Sequence, residues 1–499
     1  MLTDIIRSAG LIVPEIIIGS LILVILVIEL SVDKKPGFIF PAVTGTGIVA
    51  SFIFLHFQLG MLGNKPGINS FAGFLKLDAL ALVFKSIFLT GALLFVALSL
   101  LESKARKYRS EAEYYIIFCA ILLGSMFMVM ASNLLMIYVS IELVSMASYM
   151  LTVFNFDRKS IESGVKYFLF GAVASAFMLY GMSLLYGFTQ TLDPNAAEFS
   201  GRLSLVATLP KGIALVMTIC GFLFKMAVVP FHIWVPDVYE GAPVPLIAFF
   251  STVPKLAGLV IFARFFYLLQ TIAGPINWLI LFGLVAVATM FMGNLAALAQ
   301  TDAKRMMGYS SIAHAGYLMI GVLALSVVGI RAVILHAWVY LLMNFLVFML
   351  IEIYSPVVGG SGISRYAGQF RTTPALATLM GIGLISLIGI PPTGGFTSKF
   401  LLFSSAWEAY ERAGDKILFW LVILGVVNTL ISLFYYLRIP YYMAFREADD
   451  EKNKFLSGKR GFLGLGILLA FLIIMIFLKP DWLVNIMNNL TFAYRGMTQ

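Results

Sequence analysis

"GFLFKMAVVPFHIWVPD", residues 221–237, decides how this chain is read. The run 212–224 before Lys225 is apolar apart from one threonine, long enough to belong to a membrane-spanning helix. A cation at that depth is costly and is tolerated where it meets a partner or a water-filled cavity. Pro230 follows five residues later, and His232 stands just beyond it. Proline lacks the N–H that would bond the carbonyl four residues back, so Pro230 frees the carbonyl of Met226 beside the lysine. Non-helical backbone at membrane depth survives only where it is buried in protein or lines a hydrated cavity. The expectation is a broken helix whose break hydrates Lys225, so that the lysine can exchange a proton.

The rest of the chain supports a membrane setting. Of 499 residues, 61% are hydrophobic and 12% charged, and the mean hydropathy is +0.96. Soluble domains carry about twice that charge fraction. Apolar stretches of about 20 residues, each able to cross the hydrocarbon core, recur from end to end. The predicted fold is an all-α polytopic membrane protein with about 14 spans, near 10–31, 39–59, 77–101, 112–131, 133–154, 160–189, 209–237, 243–270, 275–300, 304–325, 328–355, 373–409, 415–444 and 461–479. The first is read as a retained span, since it lacks the basic start and small-residue cleavage site of a signal peptide.

Lysine and arginine concentrate in the odd-numbered connections: Lys34, Lys35, Lys104, Arg106, Lys107, Arg109, Arg158, Lys159, Lys304, Arg305, Arg365, Arg371, Arg446, Lys452, Lys454, Lys459 and Arg460. By the positive-inside rule these connections face the cytoplasm and both termini face the other side. This bias accounts for most of the net charge of +9 without invoking nucleic acid. Cys119 and Cys220 are too few for an iron–sulfur cluster, which takes about four ligands. No dinucleotide-binding glycine pattern and no P-loop is present, so no cofactor is expected in this chain.

Further ionisable residues fall inside predicted spans. Glu142 lies in "MIYVSIELVSMASYML", Lys166 in "SIESGVKYFLFGA", Lys255 in "FFSTVPKLAGLV", His314 in "SSIAHAGYLMIG", His336 in "AVILHAWVYLLMN" and Lys399 in "LIGIPPTGGFTSKFLLF". A lysine in a low-dielectric site gives up its proton more readily than one in water, and a nearby carboxylate restores its hold. Glu142, Lys225, Lys255, Lys399 and the shallower Lys166 therefore point to a proton or cation pathway, against the plainer reading of helix-pinning ion pairs. The histidines carry two readings, hydrogen-bonded packing and proton relay. Pro391 and Pro392 free the carbonyls of Leu387 and Ile388 ahead of Lys399, so span 12 repeats the device of span 7. Broken helices at matching places in two halves point to a transporter site, with spans 4–8 and 9–13 as the halves.

These residues resemble the antiporter-like membrane subunits of bacterial proton-pumping NADH:quinone oxidoreductase, respiratory complex I. The resemblance runs from "VPEIIIG" in span 1 to "YYLRIPYYM" at 435–443, through "ASNLLMIYVSIELVSMASYML", "SIESGVKYFLFGAVASAFMLYGMSLLYG", "FKMAVVPFHIWVPDVYEGAP", "NLAALAQTDAKRMMGYSSIAHAGYL" and "GIPPTGGFTSKF". "PFHIWVPDVYEGAP" looks like the N-type subunits, homologous to mitochondrial subunit 2, more than the L and M types. Lys399 also argues against the M type, and the chain ends about 20 residues after span 14, without the L type's lateral helix.

The resemblance implies two inverted five-helix repeats with discontinuous spans 7 and 12. It divides the chain into helices 1–3 (1–111), repeats at 112–271 and 272–445, and a closing segment at 446–499. It implies that Glu142 controls Lys225, that Lys255 links two half-channels and Lys399 stands near the exit, so that protons pass laterally through Lys255. Lys166, His232 and His314 complete the candidate set. NADH, FMN, iron–sulfur clusters and quinone would be bound by partner subunits; the partners would be the antiporter-like M subunit, the small subunits J and K, and the lipid of the bacterial inner membrane. The competing readings are a subunit of a multi-chain cation/proton antiporter, a structural membrane subunit that does not pump, and the equivalent subunit of a ferredoxin-linked complex.

Overall fold

A computed structural model describes residues 2–32, 36–63, 65–102, 110–272, 276–447 and 460–480. Of the charges used for orientation, Lys34, Lys35, Lys104, Arg106, Lys107, Arg109, Lys452, Lys454 and Lys459 lie outside these residues, as does the tail 481–499. The chain is an all-α, multi-pass membrane protein, interrupted only by a short hairpin pairing Ile68–Ser70 with Leu75–Leu77 among the described residues.

Twelve helices among the described residues are long and apolar enough to span a bilayer. They coincide with twelve of the fourteen expected segments. The other two miss that measure for different reasons. Ala303–Leu323 is long enough but carries Lys304, Arg305, Ser310, Ser311 and His314. Segment 373–409 is cut into Pro374–Ile388 and Gly394–Ala413. Proline causes that cut, as it does in span 7: Thr208–Met226 ends at Ala227, and helix resumes only at Val235–Gly241. Both first halves close on a left-handed residue, Ala227 at φ 60° and Gly389 at φ 90°, the conformation that ends a helix by turning its last N–H groups back on the final carbonyls.

The chain forms two compact units. Among the described residues, one comprises those up to Ala227 together with Val253–Leu281; the other comprises Val228–Thr252 and those from 282 to 480. In the first, Leu134–Thr152 packs on Glu111–Met130 across a connection of three residues, Arg158–Thr189 packs on Thr208–Met226, and Val253–Thr271 packs on Thr208–Met226 and Glu111–Met130. In the second, Val327–Val358 is the central element. It packs on Ala303–Leu323, Pro374–Ile388, Gly394–Ala413, Val244–Phe250 and Arg460–Leu478, which leaves 94% of its most apolar stretch buried. Its hydrophobic residues lie on every face of the helix, which fits a helix covered all round by other helices.

Candidate functional site

In the first unit Glu142, Lys225 and Lys255 come from three helices: Leu134–Thr152, Thr208–Met226 and Val253–Thr271. Lys225, 1% exposed, donates to Ser145 Oγ at 3.2 Å. Ser145 lies three residues after Glu142, so both face the same side of their helix. The Glu142 carboxylate accepts from Ser175 Oγ of Arg158–Thr189. Among the described residues no carboxylate lies within 4.0 Å of Lys225; acid and base each hold a serine hydroxyl, Glu142 that of Ser175 and Lys225 that of Ser145. Lys255 is 5% exposed. One turn along its helix, Gly258 lies against the Lys225 stem: a Cβ there would stand 3.1 Å from Lys225 Cβ. A glycine is what lets the two lysine helices come this close.

In the second unit the freed carbonyls of span 12 have a use. Lys399 Nζ donates to Leu387 O and Ile388 O, each at 2.9 Å, and lies 4.5 Å from the centroid of the Tyr317 ring. The break thus supplies the acceptors that a buried ammonium requires. Its two halves meet at Gly395, where a Cβ would collide with Ser386 O. Beside Lys399 runs a file of hydrogen-bonding groups. Ser310 Oγ bonds Tyr436 Oη; Tyr436 Oη lies 3.4 Å from His314 Nε2; His314 Nδ1 lies 3.2 Å from His336 Nε2; His336 Nδ1 lies 3.0 Å from Ser398 Oγ. Each imidazole can accept a proton on one nitrogen and release one from the other. The Tyr340 ring stacks on His314, with centroids 4.8 Å apart, and lies nearly parallel to His336.

Two expected site residues stand elsewhere. His232 is 9% exposed and lies in the turns after Pro230, with no hydrogen-bond partner for Nδ1 among the described residues. Lys166 pairs with Glu162 one turn earlier at 2.7 Å, with side chains 41% and 59% exposed. The pair lies within one helix and joins Lys166 to Glu162, not to a group of the candidate site. Lys166→Ala is therefore expected to keep more than about half of wild-type proton uptake, measured in membrane vesicles; a loss matching that of a Lys225 variant would place Lys166 in the path.

Sequence reading missed several participants. Ser145, Ser175, Ser310, Tyr436 and Ser398 carry no charge, and serine or tyrosine in an apolar helix is common. It also passed over charges that resemble Lys225 in sequence. Lys85 meets Glu15 at 2.6 Å, both side chains essentially unexposed, and Arg264 holds Asp78 through two bonds of 2.7 and 2.8 Å. Both are closed pairs, and breaking a buried pair costs about 3–5 kcal/mol, which gives them a structural role.

A family model described as "NADH:quinone oxidoreductase/Mrp antiporter, TM" matches residues 131–432, the stretch that holds every group described above except the Glu15–Lys85 and Asp78 contacts and Tyr436. The chain belongs to that family. NADH-quinone oxidoreductase subunit N of Chlorobium chlorochromatii (strain CaD3) is 35% identical over 88% of this chain and 86% of its own length. NAD(P)H-quinone oxidoreductase subunit 2 of Nostoc punctiforme is 38% identical over 89% and 82%. Among solved structures, a chain of respiratory complex I from Thermus thermophilus, determined with bound aureothin, superimposes with a TM-score of 0.75 at 27% identity, covering 94% of this chain and 97% of that one. Within the family the chain is of the subunit N type.

Proposed function

We propose that this chain translocates protons across the bacterial inner membrane as a non-redox subunit of an NADH:quinone oxidoreductase. Protons move by way of Glu142, Lys225 and Lys255 in one unit and His314, His336 and Lys399 in the other, driven by quinone reduction in partner subunits. Those partners hold NADH, FMN, the iron–sulfur clusters and quinone. The antiporter-like M subunit and the small subunits J and K are its neighbours in the membrane. The odd-numbered connections face the cytoplasm and both termini the periplasm. On this reading the chain is inert alone and draws its driving force from those partners.

One observation carries this reading: Lys225 bonds to Ser145, one turn from Glu142 on the same helix face. A buried ammonium held by a neutral hydroxyl is poised to change protonation when a carboxylate moves toward it or away. Movement of Glu142 thereby becomes a proton step at Lys225. The names of the relatives favour this function over an independent cation antiporter and over a ferredoxin-linked complex.

Glu142→Gln tests it. The amide keeps a carbonyl acceptor for Ser175 but removes the charge, so the complex should assemble while NADH-driven proton uptake in inverted vesicles falls about fivefold, or roughly 1 kcal/mol of barrier. Wild-type uptake by an assembled Glu142→Gln complex would end the switch model.

A further inference from the structure

The segment Val228–Thr252 has a place in the fold that the proton chemistry does not explain. The chain leaves the first unit after Ala227, two residues beyond Lys225, and returns at Val253, two residues before Lys255. Between those points it belongs to the second unit, so any shift of this segment acts through a few peptide bonds on both lysines.

Its attachment within the second unit is specific. Asp237 and Glu240 lie three residues apart on Val235–Gly241, hence on one face. A single nitrogen, Arg305 Nη1, bonds both, Asp237 Oδ1 at 2.8 Å and Glu240 Oε2 at 2.8 Å. The arginine's Nε points to Gln300 Oε1 at 3.4 Å, and its own N–H bonds the helix-capping Asp302. Val229 N–H donates to Thr289 Oγ1 at 3.1 Å. Tyr239 Oη accepts from Ser311 Oγ at 3.2 Å, three residues before His314. Pro236 lies against Gly308, where a Cβ would stand 3.2 Å from its Cα. The apolar residues of the segment supply area, but the charged contact gives the short helix its register on Ala303–Leu323. With side chains 29% and 26% exposed, the pair keeps much of its Coulomb attraction without the full cost of a dry interior.

We propose that Val228–Thr252 is a strap coupling the two lysines to the His314 helix, and that Arg305 is the positioning residue that latches it. The inference rests on the proton-translocating reading above. Arg305 transfers no proton. It holds the strap in one register, so that Lys225 and Lys255 keep the geometry from which they exchange protons.

The test uses the assembled complex and reads two quantities: amide hydrogen exchange along the chain, and NADH-driven proton uptake per assembled complex in vesicles. Arg305→Gln is expected to raise exchange in Val228–Thr252 by about tenfold while Thr208–Met226 and Val253–Thr271 keep their protection, and to lower uptake by about fivefold. Arg305→Lys should recover both, because one nitrogen makes both carboxylate contacts and an ammonium can do the same. Should Arg305→Gln fail to assemble, Glu240→Ala removes one of the two contacts and is read identically. Raised exchange with wild-type uptake would reduce the latch to a structural contact. Lowered uptake with unchanged exchange would make Arg305 act some other way. Either overturns the proposal. The exchange measurement involves no proton pumping, so failure of the translocation reading would appear in the Glu142 and Lys255 variants and not in this latch.

Discussion

Lys255→Ala is expected to lower NADH-driven proton uptake by about thirtyfold, or roughly 2 kcal/mol of barrier, in a complex that still assembles. Lys255 is buried in the helix that packs on Lys225 through Gly258, and alanine leaves nothing there to take a proton. A proton step covers only hydrogen-bond distance, about 2.6–3.2 Å between heavy atoms or one water more, and removing the side chain lengthens the step by the reach of the lost ammonium. Lys255→Arg should do no better, because the guanidinium stays charged and does not hand its proton on. Uptake is measured by fluorescence quenching in inverted vesicles and normalised to assembled complex. More than half the wild-type rate in Lys255→Ala would remove the lysine from the path; recovery in Lys255→Arg would show that its charge, and not its exchange of protons, is what matters.

The second large effect is expected at His336, where substitution by phenylalanine should slow uptake by about tenfold. Phenylalanine keeps a ring beside Tyr340 but removes both nitrogens, and with them the contacts to His314 at 3.2 Å and Ser398 at 3.0 Å. His336→Gln separates the two roles of the histidine. Glutamine restores hydrogen-bonding capacity but does not pick up and release protons near neutral pH. If His336 relays, both variants are slow to a similar degree. If it only packs, glutamine approaches wild type and phenylalanine does not.

These residues also show how far the chain could be read before its fold was known. Lys225 and Lys399 were legible because two local rules coincide there: charge is rejected by hydrocarbon, and proline releases carbonyls. The second rule even named the acceptors, since Leu387 and Ile388, identified from Pro391 and Pro392, are the groups that hold Lys399. Glu15 and Lys85 break the first rule as plainly as Lys225 does, yet they close on each other at 2.6 Å. Lys166 breaks it too and turns out half-exposed beside Glu162.

What the sequence determined by itself is therefore local and one-dimensional: the membrane-spanning helices, the two breaks, the family, and the charges that hydrocarbon would exclude. The family rests on the resemblance of its motifs; the others follow from solvation and backbone hydrogen bonding within one or two turns. Only the tertiary structure decided that Glu15 closes on Lys85, Asp78 on Arg264 and Glu162 on Lys166, and that His314 and His336 join through Tyr436 and Ser398 into a file. It also decided that the segment after Pro230 belongs with the second unit. Hydrogen bonds act over about 3 Å, and in a helical membrane protein the partners at that distance come from spans remote in sequence. Hydropathy places each span in the bilayer, but it is the same for every rotation of a helix about its axis, so it carries no information on which face meets which neighbour.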